Sequence, residues 1–554
     1  MRCVLALDIG SSSVRAAIVS SSGALLARSE CALSIWAPSP GHYEQSSSQL
    51  WAASCIAATD VMQNVALEDV CGVAFDGTCS LVVLDDEFQP LPVNDAGIKD
   101  RNVLMWMDHR AGDQAKRCRG GLSTKEIAAE EMEIQAENIA KKRMSLEMHP
   151  PRLMWLKENL SETWKLAGHF MDLPDFLTWK ATGNLTRSLC SLLCKWGGYE
   201  VGNGWNKDFW ESIGLPELTG KGQSKIGLSA ACPGHTLGVL TPTAARELGV
   251  TPGIPVAVSL IDAHAGGLGV IGADVIGRAL PCEGRPITSR LAIIAGTSTC
   301  HMAVSEEAIE IGGIWGPFHS AMVPGLWLNE AGQSAAGSLI DHIVSGHPAY
   351  KDLQTAADSS GQSIYDYLNE KLITMVPAGS HLAQLTSDLH IWPDFHGNRS
   401  PESDPDLRGM IVGLSLSHSL SNLSLQYLAC IQALALGTRH ILCSLLHNGY
   451  DISTIFMCGG LSRNKLFAQC HADATGLPVV LPANGEGVLT GTAILAATAA
   501  NIFPSVQDAM RHMSSAGEII LPNVELSRFY DKKFSVFLKL LEHQREYTSL
   551  MSGE

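Results

Sequence analysis

Residues 255–272 read PVAVSLIDAHAGGLGVIG, an apolar run that meets one acid and then a series of small residues. Val256, Val258, Leu260 and Ile261 predict a buried strand, because they are aliphatic and mostly β-branched. Asp262 follows with no turn residue before it. A carboxylate at the end of a buried strand costs free energy unless a neighbour or a ligand uses it. Ala263, Ala265, Gly266, Gly267 and Gly269 come next and let another molecule approach the backbone. The pattern predicts a positioned acid on the floor of a cleft. An Asp that caps the following helix has the same local signature, and this stretch alone does not separate the two.

A second pattern occurs twice. Cys3–Leu7 is apolar, Asp8-Ile9-Gly10-Ser11-Ser12-Ser13 is turn-like, and Val14–Val19 resumes a β-prone run. Strand, Gly/Ser turn, strand predicts a hairpin whose backbone N–H groups and hydroxyls suit phosphate oxygens. Asp8 beside it suits a Mg²⁺ ion held through water. Alone, this motif reads better as an ordinary polar turn. Leu291–Ala295, Gly296-Thr297-Ser298-Thr299 and Cys300–Val304 repeat it in the other half of the chain. The repeat predicts an α/β chain of two related domains facing one cleft, each supplying one phosphate hairpin. The Gly/Pro-rich stretch 233–255 reads as the crossover, giving domains over residues 1–254 and 255–554.

Other segments carry candidate groups. Cys71–Phe75 predicts a strand that runs into Asp76-Gly77-Thr78. Trp106, Asp108, His109 and Arg110 combine an apolar plate with polar groups, as a sugar site does, or as a surface turn with a buried Trp does. Lys195 sits in the apolar run 188–196 and either snorkels, the commoner case, or meets a ligand oxygen. Trp327–Ser334 reads as the opening of a helix, with Glu330 placed to bond a hydroxyl and Gly332 close to a phosphate or base. Ile455–Cys458 predicts a strand ending at Gly459-Gly460, with Asn464 beyond, where a flat ring or ribose can lie on the backbone. Further helices are expected over Ser123–Arg143, charged and solvent-facing, and over Leu425–Leu446, Leu489–Ala500 and Tyr530–Leu550.

Composition excludes some functions. The formal net charge is −17, from 39 basic and 56 acidic residues, which disfavours non-specific nucleic-acid binding. The 15 cysteines are scattered without a CxxC pair and read as reduced thiols of a cytoplasmic protein. No uncharged apolar run reads as a membrane span. Gly267–Gly272 matches GxGxxG, but Asp-Ala-His-Ala-Gly separates it from the strand, and Leu291–Ala295 ends in Gly296 where a ribose-binding acid belongs. A dinucleotide site is therefore rejected. GxxxxGK[ST], GxSxG and HExxH do not occur.

Taken together, DIGSSSVR, IDAHAGGLG, AGTST and CGGLSRN resemble the FGGY carbohydrate kinases over essentially the whole chain. FDGTCSLVVLD, MWMDHRA, DLPDFLTWKATG, RSLCSLLCKW, WPDFHGNRSP and YDKKFSVFLKLLEHQ point to the ribulokinase-like branch. The resemblance implies two ribonuclease H-like domains, as in actin and hexokinase, closing on ATP and a sugar. It implies that Asp262 is the catalytic base and that Gly10, Ser11, Ser12, Ser13, Gly296, Thr297 and Ser298 hold phosphates. Gly459, Gly460 and Asn464, with Gly332 nearby, match the adenosine site, and Asp8 matches the Mg²⁺-linked acid. Thr78, Lys195, Asp262 and Glu330 match the sugar-holding groups; Asp76, Trp106 and Asp108 are plausible additions. Lys142-Arg143 stands where the branch has Gly-Gly, the preceding segment from Cys118 differs, and Ala295 and Ala331 replace Cys and Gly. The expected activity is ATP-dependent phosphorylation of a ketopentose, D-ribulose to its 5-phosphate. Another pentulose or polyol (L-ribulose, D-xylulose, ribitol), a catalytically silent sugar- or nucleotide-binding member, and an NAD-linked dehydrogenase are the alternatives. A homodimer is compatible with the sequence.

Overall fold

The computed structural model describes residues 2–118 and 144–552. The expected helix over Ser123–Arg143 and the Lys142-Arg143 departure lie outside the described residues.

Two seven-stranded sheets form the frame. The first contains β1 (Cys3–Ile9), β2 (Ser13–Ser20), β3 (Leu25–Ala32), β4 (Val70–Gly77), β5 (Thr236–Val239), β6 (Pro255–Ala257) and β7 (Leu260–Ile261). Its order is β5-β6-β4-β1-β2-β3, with β7 also on β4. The second contains β8 (Arg290–Ala295), β9 (Thr299–Ser305), β10 (Trp315–His319), β11 (Trp327–Gln333), β12 (Thr454–Cys458), β13 (Val479–Pro482) and β14 (Ala516–Ile520), ordered β10-β11-β9-β8-β12-β13-β14. In each sheet three antiparallel strands lie beside a parallel pair: β1 with β4, and β8 with β12. The shared order and direction are those of two ribonuclease H-like domains. The expected boundary at 254/255 falls inside the first sheet, since β6 and β7 both pair with β4.

Every residue of β1 and β12 is buried, as strands covered on both faces must be, and this explains their continuous apolar runs. Two helices cover the inner faces. α1 (Asp262–Ile271) continues from β7 of the first sheet but packs on β8, β9 and β12 of the second. α2 (Gly487–Ala499) follows β13 of the second sheet but packs on β1, β4 and β6 of the first. The two helices also pack on each other, so the domains exchange their central helices across the cleft.

Trp327–Gln333 is a strand, not a helix opening. It pairs with β9 in the register Met302↔Glu330, and that ladder outweighs the local N-terminal acid; the next helix begins at Gly337. The helix expected over Leu425–Leu446 spans Leu420–His447. It is the one helix among the described residues long and apolar enough to cross a membrane, and 78% of its apolar window is buried inside the protein. All 15 cysteines are free.

The C-terminal helix, Ser527–Ser552, carries a buried lysine. Lys533 Nζ donates to Leu389 O (2.9 Å) beside the Phe529 ring. Burial lowers its pKa to about 7. Between about pH 7 and 10.5 the unfolded chain therefore binds the proton that the folded chain does not, and this site makes stability rise with pH. Lys533→Met is expected to raise the melting temperature at pH 7, with the gain shrinking toward pH 10. Scanning calorimetry at the two pH values checks it, and an equal difference at both would refute the burial argument.

Candidate active site

A cleft of about 790 Å³ separates the two sheets and is lined from both domains. Asp262 lies on its floor as the first residue of α1. Its Oδ1 accepts the hydrogen bond of Ala263 N–H (2.7 Å), so the cap reading holds only in part. The carboxyl still lines the cleft and is half-buried. Burial, and then the negative charge of Asp8, push its pKa up to about 6. A carboxyl titrating there is ionised at neutral pH yet basic enough to accept a proton.

The two hairpin turns lie along the same cleft. Gly10 to Ser13 and Gly296 to Ser298 all line it. Gly10 N–H donates to Ser13 O (3.0 Å), and Gly296 N–H to Ser298 O (2.9 Å). Two of the hydroxyls are engaged: Ser11 Oγ accepts from Trp106 Nε1 (2.8 Å), and Ser13 Oγ donates to Glu30 (2.7 Å). At the far end, Gly459 has φ +95°, and a Cβ there would lie 2.4 Å from Ala295 O. A Cβ on Gly460 would meet open space, which leaves the backbone accessible to a ligand. Asn464 lines this end, bonded through Nδ2 to Tyr427 Oη (2.7 Å).

The opposite end is polar and dense. Lys195 sits on a π-helical turn, Leu192–Trp196, a local distortion often found at functional sites. It does not snorkel: its Nζ is buried, 4.0 Å from Glu330, 3.7 Å from Glu147 and above the Trp315 ring. Burial opposes the ammonium charge, but Cys79, Glu330 and Glu147 hold its pKa well above the usual value. Thr78 and Trp106 complete the wall, with Thr78 Oγ1 2.9 Å from Ser80 Oγ.

Four expected residues lie off the cleft wall. Asp8 is fully buried beneath the first hairpin and ion-paired with Arg15. Asp76 pairs with Asp8 across β1 and β4, and Thr492 of α2 donates to it. Asp108 is not on the cleft wall. Its Oδ2 accepts from Tyr43 N (2.6 Å) and its Oδ1 from Arg110 Nε (2.9 Å), so the carboxylate holds the loop together. Gly332 lies within β11 opposite Cys300, where a Cβ would come 2.4 Å from Thr299 O. That glycine serves strand packing beside Arg399.

Other cleft residues escaped sequence reasoning. Arg399 pairs with Glu147 and links the two domains at the Lys195 end. Glu486, at the start of α2, faces Arg15 (3.7 Å), Arg28 (3.1 Å) and Arg463 (3.1 Å) and links them at the other. Arg399 lies in WPDFHGNRSP, yet nothing local marks its partner, 252 residues away.

The N-terminal domain profile of the FGGY family of carbohydrate kinases matches residues 3–269, and its C-terminal domain profile matches 291–500. The chain belongs to this family. The human FGGY carbohydrate kinase domain-containing protein is 52% identical over 555 residues, covering 100% of this chain and 98% of its own. The D-ribulokinase of Saccharomyces cerevisiae is 36% identical over 526 residues, covering 90% of this chain and 72% of its own. Among solved structures, xylulose kinase from Rhodospirillum rubrum superposes with a TM-score of 0.74 at 21% identity, covering 99% of both chains. Glycerol kinase from Plasmodium falciparum with ADP gives 0.70 at 14%, covering 98% of both. These two share the fold. The FGGY kinase is thus a sugar phosphotransferase that uses ATP as phosphate donor.

Proposed function

We propose that this FGGY kinase phosphorylates D-ribulose at its terminal hydroxyl to give D-ribulose 5-phosphate. The observation that carries the reading is Asp262, an acid of raised pKa on the cleft floor, with glycine hairpins on either side and Lys195 and Glu330 beyond. The sugar lies against Thr78, Lys195 and Glu330, which accept from and donate to its hydroxyls. Asp262 takes the proton of the terminal hydroxyl as that oxygen attacks the γ-phosphoryl group in line. Backbone N–H groups of the Gly10 and Gly296 turns stabilise charge on the phosphoryl oxygens. Gly459, Gly460 and Asn464 receive the nucleoside end. Closure of the two domains excludes water and limits ATP hydrolysis.

Mg²⁺ fits the donor set. Asp8, Asp76 and Asp262 interact electrostatically, with Arg15 as their paired cation. That surplus of hard oxygen ligands suits a divalent cation. Asp8 would hold it through water, and when bound it screens the phosphate charge.

The yeast relative's name favours D-ribulose within the class. Epimers differ in the direction of one hydroxyl, so L-ribulose, D-xylulose and ribitol are the competing substrates. Coupled ADP release with Mg-ATP against these four sugars tests the reading. D-Ribulose is expected to give the highest kcat/KM. Preference for another sugar retains the mechanism and corrects the substrate. ATP binding without turnover on any of them overturns the proposed D-ribulose kinase activity.

A further inference from the structure

Beneath the sugar end lies a cluster that the phosphoryl transfer does not use. Cys190, Cys194 and His264 are buried, and one ligating atom of each lies within 4.8 Å of the others. His264 Nε2 is 3.6 Å from Cys194 Sγ and 3.5 Å from Glu330 Oε2. Glu330 Oε2 has no hydrogen-bond partner, while Oε1 faces Lys195 at 4.0 Å. Two thiols and an imidazole nitrogen therefore converge on one point, with the Glu330 carboxylate beside the imidazole.

We propose that Cys190, Cys194 and His264 form a site for a thiophilic d¹⁰ cation, Zn²⁺, with Glu330 beside the imidazole. Around a tetrahedral Zn²⁺, with Zn–S of about 2.3 Å and Zn–N or Zn–O of about 2.0–2.1 Å, neighbouring ligand atoms are roughly 3.3–3.8 Å apart. The 3.6 Å separation of Cys194 Sγ and His264 Nε2 already falls in that window. Thiolate and imidazole ligands in a water-excluded setting select such an ion over Mg²⁺. Binding releases two thiol protons. Two thiolates and Zn²⁺ then carry no net charge. The three ligands come from two elements: the helical segment that carries Lys195 and α1 that carries Asp262. The ion ties the two together and leaves the Glu330 carboxylate free to face the sugar.

The test reads metal, not turnover, so its failure is separable from failure of the kinase reading. The full-length, tag-free protein is equilibrated with Zn²⁺, desalted, and its metal measured by plasma mass spectrometry. About one Zn²⁺ per chain is expected in the wild type and in Cys443→Ser, an exposed control. Cys190→Ser and Cys194→Ser should each lose it. Co²⁺ in place of Zn²⁺ should give the near-ultraviolet charge-transfer absorption of two thiolate ligands. No stoichiometric metal in the wild type, or metal retained in Cys194→Ser, overturns the proposal. If neither serine variant folds, the cobalt spectrum of the wild type decides, and absence of thiolate charge transfer rejects the site.

Discussion

Asp262→Asn is expected to lower kcat by about a thousandfold, within the 10²–10⁴ range typical of removing a general base. It should leave the KM for Mg-ATP nearly unchanged, because the nucleotide contacts proposed above are the two hairpins and the Gly459–Gly460 turn. The same variant should be more stable than the wild type at pH 8. The folded-state pKa of Asp262 is raised to about 6, above its unfolded value. The folded protein therefore favours the protonated form, and stability from this site is present below the unfolded pKa and lost as pH rises through about 6. Asn mimics the neutral acid, so in Mg²⁺-free buffer its advantage at pH 8 is on the order of 1–2 kcal/mol after allowing for solvent screening. The advantage should vanish below about pH 4. Steady-state kinetics and thermal melts of the two proteins check both halves. Full turnover in the variant would remove Asp262 from the base role. Lower stability at pH 8 would show that the carboxylate is held by partners rather than strained by burial.

The parts of the fold and site legible in the sequence are those written locally. A run such as CVLAL followed by Gly-Ser-Ser-Ser encodes strand and turn within a dozen residues, and both hairpins stand where that pattern occurs. Asp262 stands out because an acid after a buried strand has few explanations. The misplaced residues share a different cause. Asp108 looks like a sugar ligand until Tyr43 and Arg110 fold against it. Trp327–Gln333 looks like a helix opening until β9 supplies a ladder. The ion pairs Glu147–Arg399 and Arg28–Glu486 join residues hundreds of positions apart, and no local pattern records such a pairing. Lys195 shows the same limit from the other side. Snorkelling is the usual fate of a lysine in an apolar run, and only Glu147 and Glu330, brought in from two other segments, make burial affordable.

Gly269→Ala is expected to destabilise the protein severely, although alanine is the better helix former. The GxGxxG of residues 267–272 lies in and at the end of α1, and its glycines serve helix packing. A Cβ on Gly269 would lie 1.9 Å from Gly487 O and 2.6 Å from Gly491 N, and one on Gly491 would lie 1.8 Å from Ala265 O. α1 and α2 thus touch backbone to backbone, and neither contact can yield by turning a side chain. Overpacking of this kind costs about 1–3 kcal/mol and sometimes more; here the obstacle is main chain on both sides, which places the cost at the upper end. An apparent melting temperature lower by roughly 3–5 °C is expected. Gly346→Ala is the control: Gly346 is an exposed last residue of its helix, and its Cβ would meet nothing within 4 Å. That change should be neutral or raise stability by up to about 1 kcal/mol. The consequence for activity follows from where the helices begin. Asp262 opens α1, and Glu486, which faces Arg15 and Arg28 at the phosphate end, immediately precedes α2. Forcing the helices apart moves the base relative to the phosphate hairpins, so folded Gly269→Ala protein should lose kcat as well as stability. A variant that melts like the wild type and turns over normally would show that the two helices can slide, and that the close backbone contact does not fix the geometry of the cleft.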